Sequence, residues 1–432
     1  MLLIYLPVIT PRSEYIFNLV FIQHLGLQYC TTTDLRQFKE YPGEKINYSD
    51  KTDGNSFFIR SSQFLDNDSI KIFRPEVSFK NEIKVLFPDE ESHTGFDIFA
   101  AIFYMVSRYE EYLPFTPDVH DRFSEKESIA YRNDFLHQPV VDHWIIYLKK
   151  LLDAQFPLLK YNLTNKFKAI ATYDIDVAFK YKGRSFLRQS GALVHDFLNL
   201  DLKNILNRLK VLTGLMKDNW DVYEALERTL KEKNTEAIFF FLLGKKTKYD
   251  RNLDPLHPSM KQLIKKINAF AGIGIHPSYF TRDKPAKVNK EKRLLEEIAD
   301  KEIIRSRQHF LRFELPGTYL NLISEGITEE YSMGFSNACG FRAGTSHPFY
   351  FYDLKNEKTT SLQIFPVTYM EGTFFEKHSP QEALQIMKEL LHEVKKVNGI
   401  FITIWHNHTI SEDHSEWKKI HDQMLDEMYK IT

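Results

Sequence analysis

Short apolar segments alternate with amphipathic helical stretches from about residue 167 onward, and this alternation restricts the possible folds more than any other feature. The predicted strands cover residues 167–172, 237–243, 272–275, 303–313 and 399–405. The predicted helices between them cover residues 223–233, 258–270, 289–299 and 380–396. Strands that alternate with helices pair in parallel, because each helix returns the chain to the same end of the sheet. The sequence therefore predicts an α/β fold, a distorted (β/α) barrel, for residues 166–432.

The first part of the chain has a different pattern, with short strands grouped before two helices. The predicted strands are the apolar runs at residues 2–5, 57–59, 70–73 and 84–87. The predicted helices cover residues 96–113, with Thr94 as the cap, and residues 138–154, with Pro139 in the first turn. A polar linker follows at residues 161–166. We therefore expect a smaller α+β domain of unknown role over residues 1–160.

Composition narrows the class of protein and its compartment. The 432 residues include 57 Lys and Arg against 58 Asp and Glu. The chain has no excess of basic residues, so its composition does not favour nucleic acid as a partner. Two cysteines cannot form a disulfide framework, which indicates a reducing compartment. The apolar start, residues 1–10, lacks the basic region and cleavage site of a signal peptide, and no segment approaches the roughly 18 apolar residues of a spanning helix. The expected location is cytoplasmic, with peripheral attachment to the inner membrane as an option.

Carboxylates and an imidazole follow two of the predicted strands, at the end where parallel α/β barrels place their active sites. Asp174 and Asp176 end the first strand, and side chains two residues apart point the same way. Neighbouring carboxylates repel each other unless one binds a metal or is protonated. His276 directly follows the third strand and is a candidate metal ligand. The alternative is that these residues cap turns or helices.

Cationic and imidazole side chains also collect at the fourth and last predicted strands. Alternation places Arg305, Arg307 and His309 on one face of the fourth strand. Two arginines and a histidine are costly to bury without acidic partners or a ligand, so this face indicates a polar site unless the strand is an exposed edge. The last strand ends in His406, with His408 two residues later. Several such strand ends on one side of a sheet predict a shared site.

The order of these motifs resembles the polysaccharide deacetylases, the NodB-homology esterases of carbohydrates. The matching motifs are Thr-Tyr-Asp-Ile-Asp at 172–176, Gly-Ile-His-Pro-Ser at 274–278, Ser-Arg-Gln-His-Phe at 306–310 and Ile-Trp-His at 404–406. The resemblance implies that Asp174 is the general base, Arg307 its orienting partner and His406 the general acid. It implies that Asp176 and His276 are metal ligands. It covers about residues 165–432 and implies a barrel of the NodB-homology type.

One position departs from the pattern of that family. Its second motif has two histidines four residues apart, whereas Phe280 stands four residues after His276 and cannot bind a metal. We predict that His309 completes the metal site, with His347 and His408 as weaker candidates. The region before residue 165 resembles an uncharacterised domain that often precedes such deacetylases in bacteria.

The resemblance implies a metal-dependent hydrolase that removes N- or O-acetyl groups from a polysaccharide or oligosaccharide. The expected cofactor is a divalent metal, zinc in the first instance. Two alternatives stay open at this point. One is a degenerate relative that binds carbohydrate without hydrolysis, which the missing second histidine favours, and the other is a glycoside hydrolase that uses carboxylates alone. The metal content of the purified protein separates the first reading from these two.

A basic segment at residues 180–217 lies between the first two predicted barrel strands, within a helical insertion at about 180–220. It carries eight Lys and Arg against two acidic residues, a net charge of +6. The apolar residues at helical spacing are Leu198, Leu202, Ile205, Leu206, Leu209 and Leu212. A basic amphipathic helix can lie on an anionic membrane surface. The other reading is a helical cap packed on the barrel, with its cations in solvent.

Overall fold

A computed structural model describes residues 1–80, 82–184, 186–375 and 377–431. The strands described there form a four-stranded parallel sheet, a nine-stranded sheet that is mainly parallel, and a two-stranded antiparallel sheet. The strands of the N-terminal region are β1 (Leu2–Tyr5), β2 (Tyr29–Thr32), β3 (Lys45–Ser49), β4 (Phe57–Arg60), β5 (Val77–Lys80) and β6 (Ile83–Leu86). Its helices are α1 (Pro11–Phe17), α2 (Leu35–Glu40), α3 (Ile98–Val106), α4 (Ile129–Arg132) and α5 (Val140–Gln155).

The C-terminal region, which follows the linker, supplies the larger sheet. Its strands are β7 (Lys168–Ile175), β8 (Glu236–Phe241), β9 (Gly272–Ile275), β10 (Arg305–Ser306), β11 (Glu329–Glu330), β12 (Phe349–Asp353), β13 (Lys358–Ile364), β14 (Tyr369–Met370) and β15 (Ile400–His406). Its helices are α6 (Phe186–Leu198), α7 (Leu202–Leu212), α8 (Tyr223–Glu232), α9 (Pro258–Asn268), α10 (Ala286–Ala299), α11 (Gly317–Ser324), α12 (Pro380–Lys396) and α13 (Ser415–Ile431). None of these described helices is long and apolar enough to cross a membrane.

The N-terminal sheet is parallel, so the α+β arrangement predicted for this region is wrong. Its strand order is β2-β1-β3-β4, and all three pairs run in the same direction. Two of the connections contain helices, because α1 lies between β1 and β2 and α2 lies between β2 and β3, and each helix returns the chain across the sheet. The connection from β3 to β4 is the loop at residues 50–56. In addition, β5 and β6 pair in the antiparallel direction. The strand predicted at 70–73 is irregular, and Ile72 there is exposed.

The first predicted helix is shorter than its apolar pattern suggested. The Asp97 carboxylate caps α3 by accepting a hydrogen bond from the Ala100 N–H at 3.0 Å, in place of the predicted cap Thr94. The helix ends before Arg108, whose φ of 54° is left-handed and cannot continue a right-handed helix. A separate 3-10 turn, Tyr109–Tyr112, follows. Every residue of α3 is buried, which explains why the apolar pattern carried no clear end.

The C-terminal sheet has the order β14-β15-β7-β8-β9-β10-β11-β13-β12 and is parallel except between β12 and β13. The predicted α/β class is therefore confirmed. The strand order does not close into a ring among the described residues. The segment 365–368 nevertheless spans the two sides, because Val367 N–H donates to the Met333 carbonyl and Thr368 N–H to the Ile402 carbonyl.

The long strand predicted at 303–313 is wrong in its extent. Only Arg305–Ser306 forms β10, and a 3-10 turn at His309–Leu311 follows. The turn forms because Phe310 has a φ of 62° and Leu311 a φ of 49°, values that extended backbone does not adopt. Before the turn, the chain still runs beside β9, since Arg307 N–H donates to the Ile275 carbonyl and His309 N–H to that of Pro277.

A buried ion cluster joins the two regions of the chain. Arg342 donates from Nε and Nη2 to the Glu111 carboxylate at 2.9 and 2.6 Å. Arg108 donates to Glu111 at 2.7 Å and to Glu110 at 2.8 Å. Burial alone would raise the pKa of Glu111, but Arg342 and Arg108 hold that pKa below its ordinary value. A single hydrophobic cluster also contains residues of both regions, so their packing is continuous.

Glu330 is a buried carboxyl group that makes stability depend on pH. Burial raises its pKa to about 7, against the opposing hydrogen bonds from Ser332 and Tyr319. Because folding raises the pKa of this carboxyl group, the group ionises at a lower pH in the unfolded chain than in the folded chain. Ionisation therefore favours the unfolded chain over this pH range. Stability therefore falls as pH rises from about 4.5 to about 7, by up to about 3 kcal/mol.

We expect Glu330→Gln to remove most of this pH-dependent loss, because the amide cannot ionise. Urea unfolding at pH 5 and at pH 8 gives the change in unfolding free energy between the two pH values. This change should be smaller in the variant than in the parent. The exposed Glu302→Gln is the matched control and should follow the parent. An equal pH response in the Glu330 variant would contradict the assignment.

Candidate metal and catalytic site

The predicted site residues lie at the carboxyl ends of neighbouring strands, above an apolar floor. In the parallel register, Asp174 of β7 stands beside His406 of β15 on one side and Phe240 of β8 on the other. A small hydrophobic cluster forms the floor. Its buried members are Ile170, Ile238, Phe240, Leu311, Tyr331, Val367, Ile402 and Ile404. Because strand side chains alternate, Asp174 continues the face that begins with Ile170, so its carboxylate emerges directly above this floor.

Three predicted ligands converge at one point. Nε2 of His276 lies 3.3 Å from Oδ1 of Asp176, and Nε2 of His309 lies 3.6 Å from Oδ2. The ligand atoms of these three residues all lie within 4.8 Å of one another. Nitrogen and oxygen ligands placed 2.0–2.1 Å from a tetrahedral zinc ion are roughly 3.3 Å apart. The geometry therefore fits a divalent metal.

The Asp176 carboxylate supports the same fit. Its Oδ1 atom is buried and has no hydrogen-bond partner among the described residues. A buried, unpartnered carboxylate oxygen is costly unless a cation satisfies it. Burial alone would raise the pKa of Asp176, but His309, His276 and His406 hold that pKa well below its ordinary value. The carboxylate is thus kept in the charged form that a metal requires.

Each ligating imidazole is oriented by a partner on its other nitrogen. Nδ1 of His276 lies 2.5 Å from the Arg307 carbonyl oxygen, and Nδ1 of His309 lies 2.9 Å from Oδ1 of Asp250. A partner on Nδ1 fixes the ring and leaves Nε2 for a metal. Both histidines are buried. Burial alone would lower the pKa of His309, but Asp176 and Asp250 raise it to about 9, so a metal must displace a proton there.

Asp174 is held by a single arginine. Nη1 of Arg307 donates to Oδ1 of Asp174 at 2.9 Å and to the Thr172 hydroxyl at 2.6 Å. Arg307 is fully buried, its Nε donates to the Tyr331 carbonyl at 3.0 Å, and its guanidinium carbon lies 4.4 Å from the centre of the Phe240 ring. The other oxygen of Asp174 faces His276 at 3.8 Å. The arginine thus binds one carboxylate oxygen and leaves the other toward the ligand cluster.

His406 approaches the cluster from the opposite side. Its Nε2 lies 3.7 Å from Oδ2 of Asp176, and its Nδ1 lies 2.7 Å from Oε1 of the buried Glu371. Burial would lower the pKa of His406, but Glu371 raises it, with smaller contributions from Asp176 and Asp174, to about 10. His406 therefore carries a proton at neutral pH in this arrangement.

Asp250 and Glu371 were not identified in the sequence. Asp250 lies in the loop after β8, and Glu371 follows the two-residue strand β14. Neither position belongs to a periodic apolar segment, so no sequence pattern predicts a role for it. A carboxylate directly after a predicted strand would have been a signal for Glu371. However, β14 has two residues and is too short to be predicted as a strand from sequence.

The other candidates for the third ligand lie elsewhere. His347 belongs to a different buried group, with His24 and Asp142. His408 has its ring centre 5.7 Å from that of His406, and burial lowers its pKa to about 4. Phe280 packs against the rings of Tyr249 and Tyr279. Among the described candidates, His309 is the one that reaches Asp176 and His276.

A loop of the N-terminal region supports the turn that carries His309. Arg122 donates from Nη1 to the Phe310 carbonyl, and Arg312 donates from Nε to the His120 carbonyl at 2.9 Å. The His120 ring also contacts the Phe310 ring, with centres 4.9 Å apart. These contacts fix a turn whose left-handed backbone is otherwise unfavourable. The region before the linker therefore takes part in building the site.

Comparison with known proteins gives one family match, in the N-terminal region. Residues 2–157 match a family of unknown function, DUF7033. No curated protein matches the sequence.

Several solved structures are similar to the chain at low identity. One is a protein described as a polysaccharide deacetylase from Mycobacterium smegmatis, with 14% identity, a TM-score of 0.41 and coverage of 63% of this chain and 86% of that one. A second is a mutant of a CE4 family pseudoenzyme with restored enzymatic activity, with 12% identity, a TM-score of 0.29 and coverage of 62% and 64%. A third is a GH57 branching enzyme from Thermococcus kodakaraensis, with 10% identity, a TM-score of 0.34 and coverage of 62% and 68%.

Proposed function

We propose that the chain is a metal-dependent hydrolase that removes acetyl groups from an N- or O-acetylated polysaccharide or oligosaccharide. The observation that carries this proposal is the convergence of Asp176, His276 and His309 on one point, beside a second carboxylate and a protonated histidine. The sequence motifs that resemble polysaccharide deacetylases supply the reaction type. Residues from four strand ends supply the separate roles that such a hydrolysis needs.

Asp176, His276 and His309 would hold the metal, with His309 in the place that Phe280 cannot fill. Two imidazoles and one carboxylate are a donor set that zinc accepts in hydrolytic sites. When bound, the metal polarises the acetyl carbonyl and lowers the pKa of a water molecule. The fixed Nδ1 partners of the two histidines make this donor set rigid before any metal binds.

Asp174 is assigned the role of general base. Its free oxygen, Oδ2, takes the proton of the attacking water, because Arg307 already engages Oδ1. The buried guanidinium fixes the orientation of the carboxylate. Arg307 is therefore a positioning residue that acts through Asp174.

His406 is assigned the role of general acid. It delivers a proton from Nε2 to the leaving sugar amine or alkoxide, which would otherwise depart as a strong base. Glu371 accepts the hydrogen bond from Nδ1, holds the ring and stabilises the protonated form. Base and acid thus lie on adjacent strands, directly opposite each other in the register.

The experiment that tests this function measures the metal content of the purified chain together with acetate release from a panel of acetylated glycans. We expect a bound divalent metal in about one equivalent per chain, and acetate release that a chelator stops and added metal restores. Bound metal without acetate release from any glycan would favour a carbohydrate-binding protein. Chelator-resistant hydrolysis of glycosidic bonds would favour a glycoside hydrolase.

A further inference from the structure

The helical insertion after β7 has its apolar and polar faces reversed. The hairpin of α6 and α7, residues 186–212, turns leucines toward solvent and buries ions against the rest of the chain. The exposed apolar side chains of the hairpin are Val194, Phe197, Leu198, Leu200, Leu202, Leu206, Leu209 and Leu212, each 45–80% exposed. Surface helices of a water-soluble domain ordinarily do the opposite, and a contiguous apolar face of this kind marks a binding surface.

The inward face of the hairpin buries polar side chains that pair with one another, and these pairs hold the two helices in their reversed orientation. Arg208 is buried and donates to Asp196 at 2.7 Å and to Gln189 at 3.0 Å. The Tyr181 hydroxyl donates to Asn204. At the base of the insertion, Asp218 accepts hydrogen bonds from three successive backbone N–H groups, those of residues 180–182. Rotating either helix to bury its leucines would break these buried ion and hydrogen-bond contacts.

The tip of the hairpin also turns an apolar side chain toward solvent. Leu200, which joins the two helices, is 80% exposed and has a left-handed φ of 55°. A leucine in this conformation is strained where glycine or asparagine would not be. At this exposure, its side chain makes little contact with the rest of the chain.

Cations surround the apolar face. On α7, Lys203 and Lys210 are exposed and lie beside the stripe of Leu202, Leu206 and Leu209. Five cations of the insertion form no ion pair with described residues. They are Lys182, Arg184, Arg188, Lys203 and Lys210. The surface therefore combines an apolar stripe with a positive margin along α7.

We propose that the α6–α7 hairpin docks this face onto an anionic lipid surface. The leucines would enter the boundary between headgroups and acyl chains, while the lysines and arginines would contact anionic headgroups. A second copy of the chain fits less well, because apposing two positive margins is repulsive. The hairpin follows the strand that carries Asp174 and Asp176, so docking would bring the site close to the membrane plane.

Vesicle co-sedimentation of the full chain tests the proposal and needs no turnover, so its outcome is independent of the proposed function. We expect binding to vesicles of phosphatidylcholine mixed with phosphatidylglycerol, much weaker binding to phosphatidylcholine alone, and a decrease as salt rises. The triple change Leu202→Ser, Leu206→Ser and Leu209→Ser should lower the partition coefficient on the order of 10-fold or more. Its control is Leu158→Ser, Leu163→Ser and Leu256→Ser, which changes three exposed leucines elsewhere.

A charge-reversal variant tests the positive margin separately. Arg188→Glu, Lys203→Glu and Lys210→Glu should abolish the preference for anionic vesicles, whereas Lys261→Glu, Lys265→Glu and Lys395→Glu, which are exposed on other helices, should retain it. Absence of binding at low salt would overturn the proposal. So would unchanged binding of the leucine variant, or a lipid-free dimer that the leucine changes convert to a monomer, which would make a second copy the occupant.

Discussion

Replacing Asp174 with Asn is expected to lower kcat for acetate release by roughly 10²–10⁴-fold while the metal stays bound. The amide has nearly the shape of the carboxylate, but it cannot accept the proton of the attacking water. Because Asp174 lies beside the ligand cluster and is not itself one of the three converging ligands, the metal content should not change. Steady-state acetate release and elemental analysis of the same preparation measure the two quantities.

The exposed Asp50→Asn is the control for this change and should leave both quantities at the parent level. Loss of metal in the Asp174 variant would show that this carboxylate is a ligand. Unchanged kcat with metal present would remove Asp174 from the reaction altogether.

Replacing His309 with Ala is expected to weaken metal binding by more than about 100-fold, since loss of a mere outer-sphere partner costs 10–100-fold. Activity should disappear with the metal. The reason is that Asp176 and His276 alone leave the ion with two protein ligands, fewer than the three of a hydrolytic zinc site. Titration of the metal-free protein with zinc, followed by calorimetry or a competing chelator, measures the affinity.

His347→Ala is the informative control, because His347 is a buried histidine and one of the two weaker candidates for this role. We expect it to retain the affinity of the parent, since it belongs to a separate group with His24 and Asp142. If the His309 variant keeps both metal and activity, then the substitution of His309 for the missing histidine of the second motif is wrong.

Those site residues that lie at strand ends could be predicted from the sequence. Carboxyl ends of parallel strands meet at one edge, so Asp174, Asp176, His276 and His406 come together even if each strand boundary is uncertain. His309 lies near the other ligands even though the extent predicted for its strand is wrong. The strand predicted at 303–313 ends at Ser306 in the structure. Beyond it, the backbone still hydrogen-bonds to Ile275 and Pro277, and this places His309 beside His276.

What the sequence could not provide are pairings between residues on irregular segments. Glu371 and Asp250 act through hydrogen bonds to histidines 35 and 59 residues away along the chain, and no spacing rule connects them. The insertion shows the same gap. The net charge of residues 180–217 does not reveal that Arg208 and Asp196 form a buried pair, and helical spacing alone does not tell which face of a helix is inward.

The ion cluster between the two regions restricts how the sequence can vary. Arg342 and Arg108 share the Glu111 carboxylate with no solvent to replace a lost partner. A neutral change at any one of them leaves an uncompensated buried charge, at a cost of about 3–5 kcal/mol. The Arg342–Glu111 pair is the one that crosses between the two halves of the chain. We therefore expect changes at these two positions to show epistasis, since recombination at the linker would bring mismatched charges into one core.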